Sequence, residues 1–256
     1  MSQIWLIGGT SESVILAKAI TAANINCIVT VTTETAKNLY SQDHPFLNIW
    51  VGRLDQESIL SFLQQQKITA ILDASHPFAV EISQLAIATG NEYNIPYLRY
   101  ERSSCETANV ENNIVHLDSF ETLLSGNYLT EERVMLTLGY RHLHRFKDWH
   151  KHSTLFVRIL PSIVSLEAAL NAGFTPDKII AIRPPISVEL ETALWQQWNI
   201  SLVVTKASGK AGGEAIKRKV AAELGKHLII IDRPQLNYPQ KTMDVETAVE
   251  FCQKYC

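Results

Sequence analysis

Short apolar runs alternate with stretches of helical periodicity along the whole chain. Ile4-Trp5-Leu6-Ile7 is followed by Val14, Ile15, Ala17, Ala19 and Ile20, spaced as on one side of a helix. Cys27-Ile28-Val29-Thr30-Val31 is β-branched and reads as a strand. Ile49-Trp50-Val51 precedes Gly52 and a helical pattern carrying Ile59, Leu60, Phe62 and Leu63. Ile68 to Leu72 is the next strand, a helix runs from about Val80 to Tyr93, and Ile95 to Leu98 begins another extended piece. This alternation predicts a parallel sheet with helices on both faces.

Residues 99–112 are polar and aperiodic, which places a domain junction there. Beyond them the pattern restarts. Strands are predicted near 114–117, 134–138, 154–157, 179–182, 202–205 and 228–231, and helices near 119–129, 140–146, 162–172, 188–198, 213–224 and 245–254. The expected architecture is α/β: two Rossmann-like three-layer domains with parallel sheets facing an interdomain cleft. Residues 1–98 would form the first and 113–256 the second.

Composition narrows the class of protein. Of 256 residues 46% are hydrophobic, enough for a sizeable core, and the formal charge of −3 implies no generally basic nucleic-acid surface. No apolar run approaches the roughly 20 residues of a membrane helix. The N-terminus enters a strand directly, without a signal-like segment. Cys27, Cys105, Cys252 and Cys256 form no C-x-x-C pair. They are read as reduced thiols in a cytoplasmic protein, with no metal site.

The candidate chemistry sits where predicted strands run into helices, the side of an open α/β sheet on which ligands bind. Gly8, Gly9, Thr10 and Ser11 follow the first strand. Glycines at a helix start allow a phosphate to approach free N–H groups, although G-x-G-x-x-G is absent and a plain capped turn is the alternative. Thr32, Thr33 and Lys37 follow the second strand. They fit either an ordinary polar loop or the 2′-phosphate of NADPH. Gly52 permits an unusual turn, Asp55 suits a helix cap, and Arg53 is open between a surface ion pair and an anion contact. After the fourth strand comes Asp73-Ala74-Ser75-His76-Pro77-Phe78. An Asp, a Ser and a His in four positions exceed what a loop needs. His76 could donate a proton, orient a ring or meet a carboxylate, and Asp73 could cap a helix or tie down the turn. In the second half Lys206, Ser208, Gly209, Lys210, Gly212 and Gly213 suit an anion cradle at a helix start, with a flexible loop as the alternative. Lys206 precedes the glycines and the G-K-[ST] ending is missing, so nucleotide hydrolysis is rejected.

Together these stretches resemble the precorrin-6A reductase family of corrin-ring biosynthesis, including its cobalt-precorrin-6A branch. The matching pieces are LIGGTSES at 6–13, GRLD at 52–55, DASHPFA at 73–79 and YLRYERSS at 97–104. They continue with LTLGYRHL at 136–143, VRILP at 157–161, TKASGKAGG at 205–213 with Lys217, and DRP at 232–234. They span nearly the whole chain; DASHPFA and TKASGKAGG are the specific ones. Arg183-Pro184-Pro185-Ile186 departs from the family's usual Gly-Pro-Phe, and no substrate contact is assigned there.

The resemblance implies NADPH on the first domain, a tetrapyrrole substrate, and hydride transfer that saturates one macrocycle double bond. On that reading Pro77 and Phe78 wall the nicotinamide, and Ser75 and His76 lie at the reacting centre. Arg99, Arg102, Lys206, Lys217 and the glycine loop hold carboxylate arms, and a labile product could pass transiently to a neighbouring pathway enzyme. A two-domain nucleotide-sugar enzyme and a small-anion binding protein are the alternatives. The first would prefer UDP-sugars to NADPH; the second usually carries a signal peptide.

Overall fold

A computed structural model describes residues 2–41, 44–101, 113–209 and 212–256. The chain divides into two compact units, Met1–Ser103 with Gln235–Cys256, and Ser104–Pro234.

The first unit is built on a six-stranded parallel sheet. Its strands are β1 (Gln3–Ile7), β2 (Cys27–Val31), β3 (Leu47–Val51), β4 (Ile68–Asp73), β5 (Tyr97–Tyr100) and β12 (Lys241–Thr242), in the order β12-β5-β4-β1-β2-β3. Alternate side chains of β1 point to opposite faces, as a pleated strand requires. Ile4 and Leu6 pack with Leu16, Ala17 and Ile20 of α1 (Ser11–Ala22) and with Ala248 and Cys252 of α9 (Val245–Lys254). Trp5 and Ile7 pack with Ile59, Phe62 and Leu63 of α3 (Ile59–Gln65) and Ala86 of α4 (Val80–Tyr93). Covering both faces is what makes β1 apolar from Ile4 to Ile7. Each large side chain so buried contributes about 1.5–3 kcal/mol, and the buried Trp5 indole N–H is satisfied by Thr30 Oγ1 at 2.8 Å.

The second unit repeats the plan. Strands β6 (Ile114–Leu117), β7 (Arg133–Leu136), β8 (Thr154–Ile159), β9 (Ile179–Ala181), β10 (Leu202–Lys206) and β11 (His227–Ile231) form a parallel sheet in the order β6-β11-β10-β7-β8-β9. One face is closed by α7 (Val188–Gln197) and α8 (Glu214–Leu224). Trp195 and Val220 pack there on Met135, Val203 and Leu228. The shorter α5 (Phe120–Ser125) and α6 (Ile163–Asn171) complete the unit. No helix among the described residues is long and apolar enough to cross a membrane.

The expected boundary needs correction at its C-terminal side. β12 pairs with β5, Lys241 opposite Arg99 and Thr242 opposite Tyr100, and α9 lies against α1. Residues 235–256 therefore belong with the first unit, not the second. The periodicity of 245–254 reveals a helix, but its destination is set by the open edge of β5 and the apolar face of α1. Two helices also differ. The one expected at 140–146 is a 3-10 helix at Leu143–Lys151, in which the buried Leu143 and Phe146 have the i, i+3 spacing of three residues per turn. The helix expected at 119–129 stops at Ser125 because Gly126 is extended.

Candidate functional site

In the first sheet the chain leaves β1 toward β2 and β3, and leaves β4 toward β5 on the other side. The point between β1 and β4 is thus a topological switch, where an open α/β sheet forms its ligand crevice. Two turns flank it, Gly8–Ser11 after β1 and Ala74–Phe78 after β4.

The glycine turn is held by a relay of hydroxyls. Gly9 donates its N–H to Tyr40 Oη at 2.9 Å, and Tyr40 Oη lies 2.6 Å from Ser13 Oγ. Ser13 donates to the Thr10 carbonyl at 2.7 Å and takes the Thr10 N–H at 3.0 Å. Thr10 caps α1 and donates its own hydroxyl to the Ala74 carbonyl at 2.8 Å, which ties the two turns across the switch point. Burial pushes the Tyr40 phenol up, so it stays protonated. A side chain on Gly8 would strike Tyr40 Oη and Val29 Cγ1, each at 2.5 Å. Gly9, at φ +94°, has open space where a Cβ would stand. Of the expected phosphate donors, Gly9 and Thr10 therefore have their N–H groups engaged internally. Ser11 is exposed at the first position of α1, where the helix dipole favours an anion.

The second turn rests on a buried knot. Asp73 is fully buried at the end of β4. Its Oδ1 accepts from Arg99 Nη1 at 2.8 Å and the Ser75 N–H at 2.9 Å. Its Oδ2 accepts from Tyr97 Oη and Ser83 Oγ, both at 2.6 Å. Burial and the Asp73 charge push the Tyr97 phenol far up. Arg99, 1% exposed, also donates to Ser75 Oγ and to the Ser75 carbonyl, each at 3.1 Å. Its guanidinium lies 5.2 Å from the Tyr238 ring, and Nε has no hydrogen-bond partner. Above the knot His76 is partly exposed. Its Nδ1 accepts the Phe78 N–H at 3.2 Å, which leaves the proton of the neutral ring on Nε2. Pro77 is buried and Phe78 partly exposed.

Two expected roles change here. Arg99 cannot hold a substrate carboxylate, because its charge is spent on Asp73 inside the protein. Ser75 presents no free hydroxyl at the surface; it is part of the knot. Asp73 ties down the turn rather than capping α4. Elsewhere in the unit Arg53 pairs with Glu81 on the surface. Gly52 is required because a Cβ would meet the Trp50 ring at 2.6 Å. Thr32 and Thr33 are exposed; Thr33 caps α2 (Glu34–Lys37), and Lys37 Nζ lies 3.6 Å from Glu34. Arg102 lies outside the described residues.

The loop after β10 is filled from within. Gly209 gives its N–H to Glu214 Oε2 at 3.0 Å, and Glu214 Oε1 accepts from Arg218 Nε at 3.1 Å. The chain's own carboxylate thus takes an N–H expected to face a ligand. Ser208 is buried, and a Cβ on Gly212 would lie 1.7 Å from Ser208 Oγ. Gly213 begins α8 at φ +69°. Lys217, 2% exposed, donates to the Gly212 carbonyl at 2.8 Å, so it shapes the loop instead of reaching a substrate. Burial, with Arg158 nearby, brings its ammonium down to about 8. Lys206, at the strand end, is only partly covered. Nothing local in the sequence marks Tyr40, Tyr97, Ser83 or Glu214; each acts through a partner distant in the chain or through the closure of a loop.

Parallel α/β sheets with a glycine turn at a switch point define a Rossmann-like protein, here with two such units. The solved structure of CobK precorrin-6A reductase has this fold: it aligns with 100% of this chain and 97% of its own at a TM-score of 0.79, with 22% identity. A Synechocystis protein named cobalt-precorrin-6A reductase is 45% identical over 258 residues, covering 100% of this chain and 97% of its own. The protein of that name from Priestia megaterium is 34% identical over 92% of each. Residues 3–253 match the family described as precorrin-6x reductase CbiJ/CobK, and the chain belongs to that family of reductases.

Proposed function

We propose that this chain uses NADPH to reduce one double bond of the cobalt-precorrin-6A or precorrin-6A macrocycle to the 6B form. The observation that carries the reading is the pair of turns at the first sheet's switch point, tied by Thr10 Oγ1 to Ala74, in a chain of this reductase family. The names of the Synechocystis and Priestia relatives favour the cobalt form. When bound, NADPH supplies the hydride.

The residues present fit such a cofactor. The open side of Gly9 and the exposed start of α1 at Ser11 suit the phosphates. The exposed hydroxyls of Thr32 and Thr33, with Lys37, suit a 2′-phosphate at the end of β2. Pro77 and Phe78 offer an apolar wall, and the Asp73–Arg99 knot fixes its position. Rigid placement of this kind is the main contribution of protein to hydride transfer. His76 is the candidate donor, acting as the imidazolium so that loss of one proton leaves a neutral ring.

A thermal melt is the first test. NADPH is expected to raise Tm more than NADH, with UDP-sugars without effect; protection by a UDP-sugar and not by NADPH overturns the reading. Anaerobic turnover of the cobalt and metal-free substrates then decides between them. His76→Ala is expected to lower turnover about 10²-fold; near-normal turnover with intact NADPH binding removes the donor role.

A further inference from the structure

The knot beneath the second turn is closed by a residue from the far end of the chain. Tyr238 belongs to the segment that returns to the first unit after Pro234. Its ring stacks on Tyr97, with centroids 6.5 Å apart and planes at 6°. The Arg99 guanidinium lies 5.2 Å from the same ring. The Tyr238 hydroxyl meets the Ser83 side chain, and Ser83 donates to Asp73 Oδ2 at 2.6 Å. The backbone just beyond is pinned too: the Gln240 carbonyl accepts the Arg99 N–H at 2.9 Å. Tyr238 is partly exposed while Asp73, Tyr97 and Arg99 are buried, so its ring is the outer wall of the knot.

That wall answers a deficit in Arg99. A guanidinium carries five N–H donors. Nη1 and Nη2 donate to Asp73 and Ser75, but the buried Nε has no hydrogen-bond acceptor among the described residues. A buried donor without an acceptor is costly. The π face of Tyr238 supplies the attraction that an acceptor would have given, and burial strengthens such a cation–π contact. Arg99 in turn donates to both the hydroxyl and the carbonyl of Ser75, each at 3.1 Å. The Ser75 carbonyl belongs to the peptide that leads into His76, Pro77 and Phe78. A guanidinium that moves therefore moves that turn.

We propose that Tyr238 is a positioning residue for hydride transfer. Its ring holds Arg99 in place, Arg99 holds Ser75, and the turn from His76 to Phe78 follows. This rests on the reading that the nicotinamide lies against Pro77 and Phe78. The ring is the working part and the hydroxyl is secondary, because Ser83 gives its proton to Asp73 in either case. A phenyl ring should therefore serve as well, whereas an aliphatic side chain fills space without offering a π face.

The test compares wild type, Tyr238→Phe and Tyr238→Leu as full chains, well below their melting temperatures. Hydride transfer is followed as single-turnover NADPH oxidation with precorrin-6A under anaerobic conditions. NADPH affinity and hydrogen exchange of a peptide spanning Ser75–Ala79 are measured alongside. Tyr238→Leu is expected to slow the transfer at least about tenfold while changing the NADPH Kd by less than about twofold. It should also speed exchange at the Ser75 and Phe78 amides, which are bonded to Asp73 and His76 in the native turn. Tyr238→Phe should stay within about threefold of wild type in all three measurements. Wild-type transfer in Tyr238→Leu, equal slowing in both variants, or a loss explained by weaker NADPH binding overturns the role. If Tyr238→Leu does not fold, Tyr238→Met is read in its place, and a loss of about tenfold or more in Tyr238→Phe overturns the role by itself. A wild type that binds NADPH but reduces no precorrin-6A overturns the proposed activity. The exchange measurement then still decides whether Tyr238 holds the turn, and unchanged exchange in Tyr238→Leu means that it does not.

Discussion

Asp73 and Arg99 show how a single buried pair fixes a turn. Both lie inside the protein, and their charges are matched by hydrogen bonds from Ser75, Ser83 and Tyr97. Removing one partner leaves the other charge uncompensated. Arg99→Met is therefore expected to cost about 3–5 kcal/mol in urea unfolding, against about 1–3 kcal/mol for Tyr97→Phe. Equal losses would mean that the ion pair is not the centre of the knot. Tyr40→Phe removes the acceptor for Gly9 N–H and a partner of Ser13. It should raise KM for the nicotinamide cofactor while kcat is kept, because the proposed binding mode puts the reacting end at the other turn. Lys217 gives a pH effect of the opposite kind to a salt bridge. Its folded-state pKa, about 8, is below the ordinary value of 10.5. The unfolded chain thus binds more protons between those limits, and stability rises with pH across that window. Lys217→Met should flatten the slope by one group's share.

At the level of elements, the strands and most helices were legible because burial leaves a period in the sequence. β2 is β-branched from Ile28 to Val31, and α9 shows its Val245, Ala248, Val249 and Cys252 stripe. The two strand-end turns were legible for a related reason: glycines, hydroxyls and a Pro mark places where the backbone must bend. What each side chain does there was not legible. The resemblance implies that Arg99 and Lys217 hold carboxylate arms, yet long-range pairing buries one on Asp73 and loop closure buries the other under Gly212. β12 is two residues long, too short to carry a pattern. The seat of α9 has a direct assay. Burial pushes Cys252 up to about 12 and raises Cys27 well above its usual value, whereas Cys256 is exposed. At pH 8 iodoacetamide should modify Cys256 in the native protein and reach Cys27 and Cys252 only after unfolding, as read by mass spectrometry. Rapid modification of Cys252 would mean that α9 is not docked on α1.

For the whole molecule, the main fact is that one sheet is made from two distant parts of the chain. A chain ended at Pro234 lacks β12 and α9, so β5 loses its neighbour and α1 its cover. Such a chain should lose the first unit's melting transition and NADPH protection, while the second unit still melts cooperatively. Retained protection would show that the return segment is dispensable. The same connection constrains folding during synthesis. The first five strands emerge early, but their outer edge and one helix face stay bare until all of Ser104–Pro234 has been made. At ordinary elongation rates that is on the order of ten seconds. Throughout that interval the nascent chain presents an unpaired strand edge beside apolar surface, the feature that holdase chaperones bind and that drives edge-to-edge aggregation.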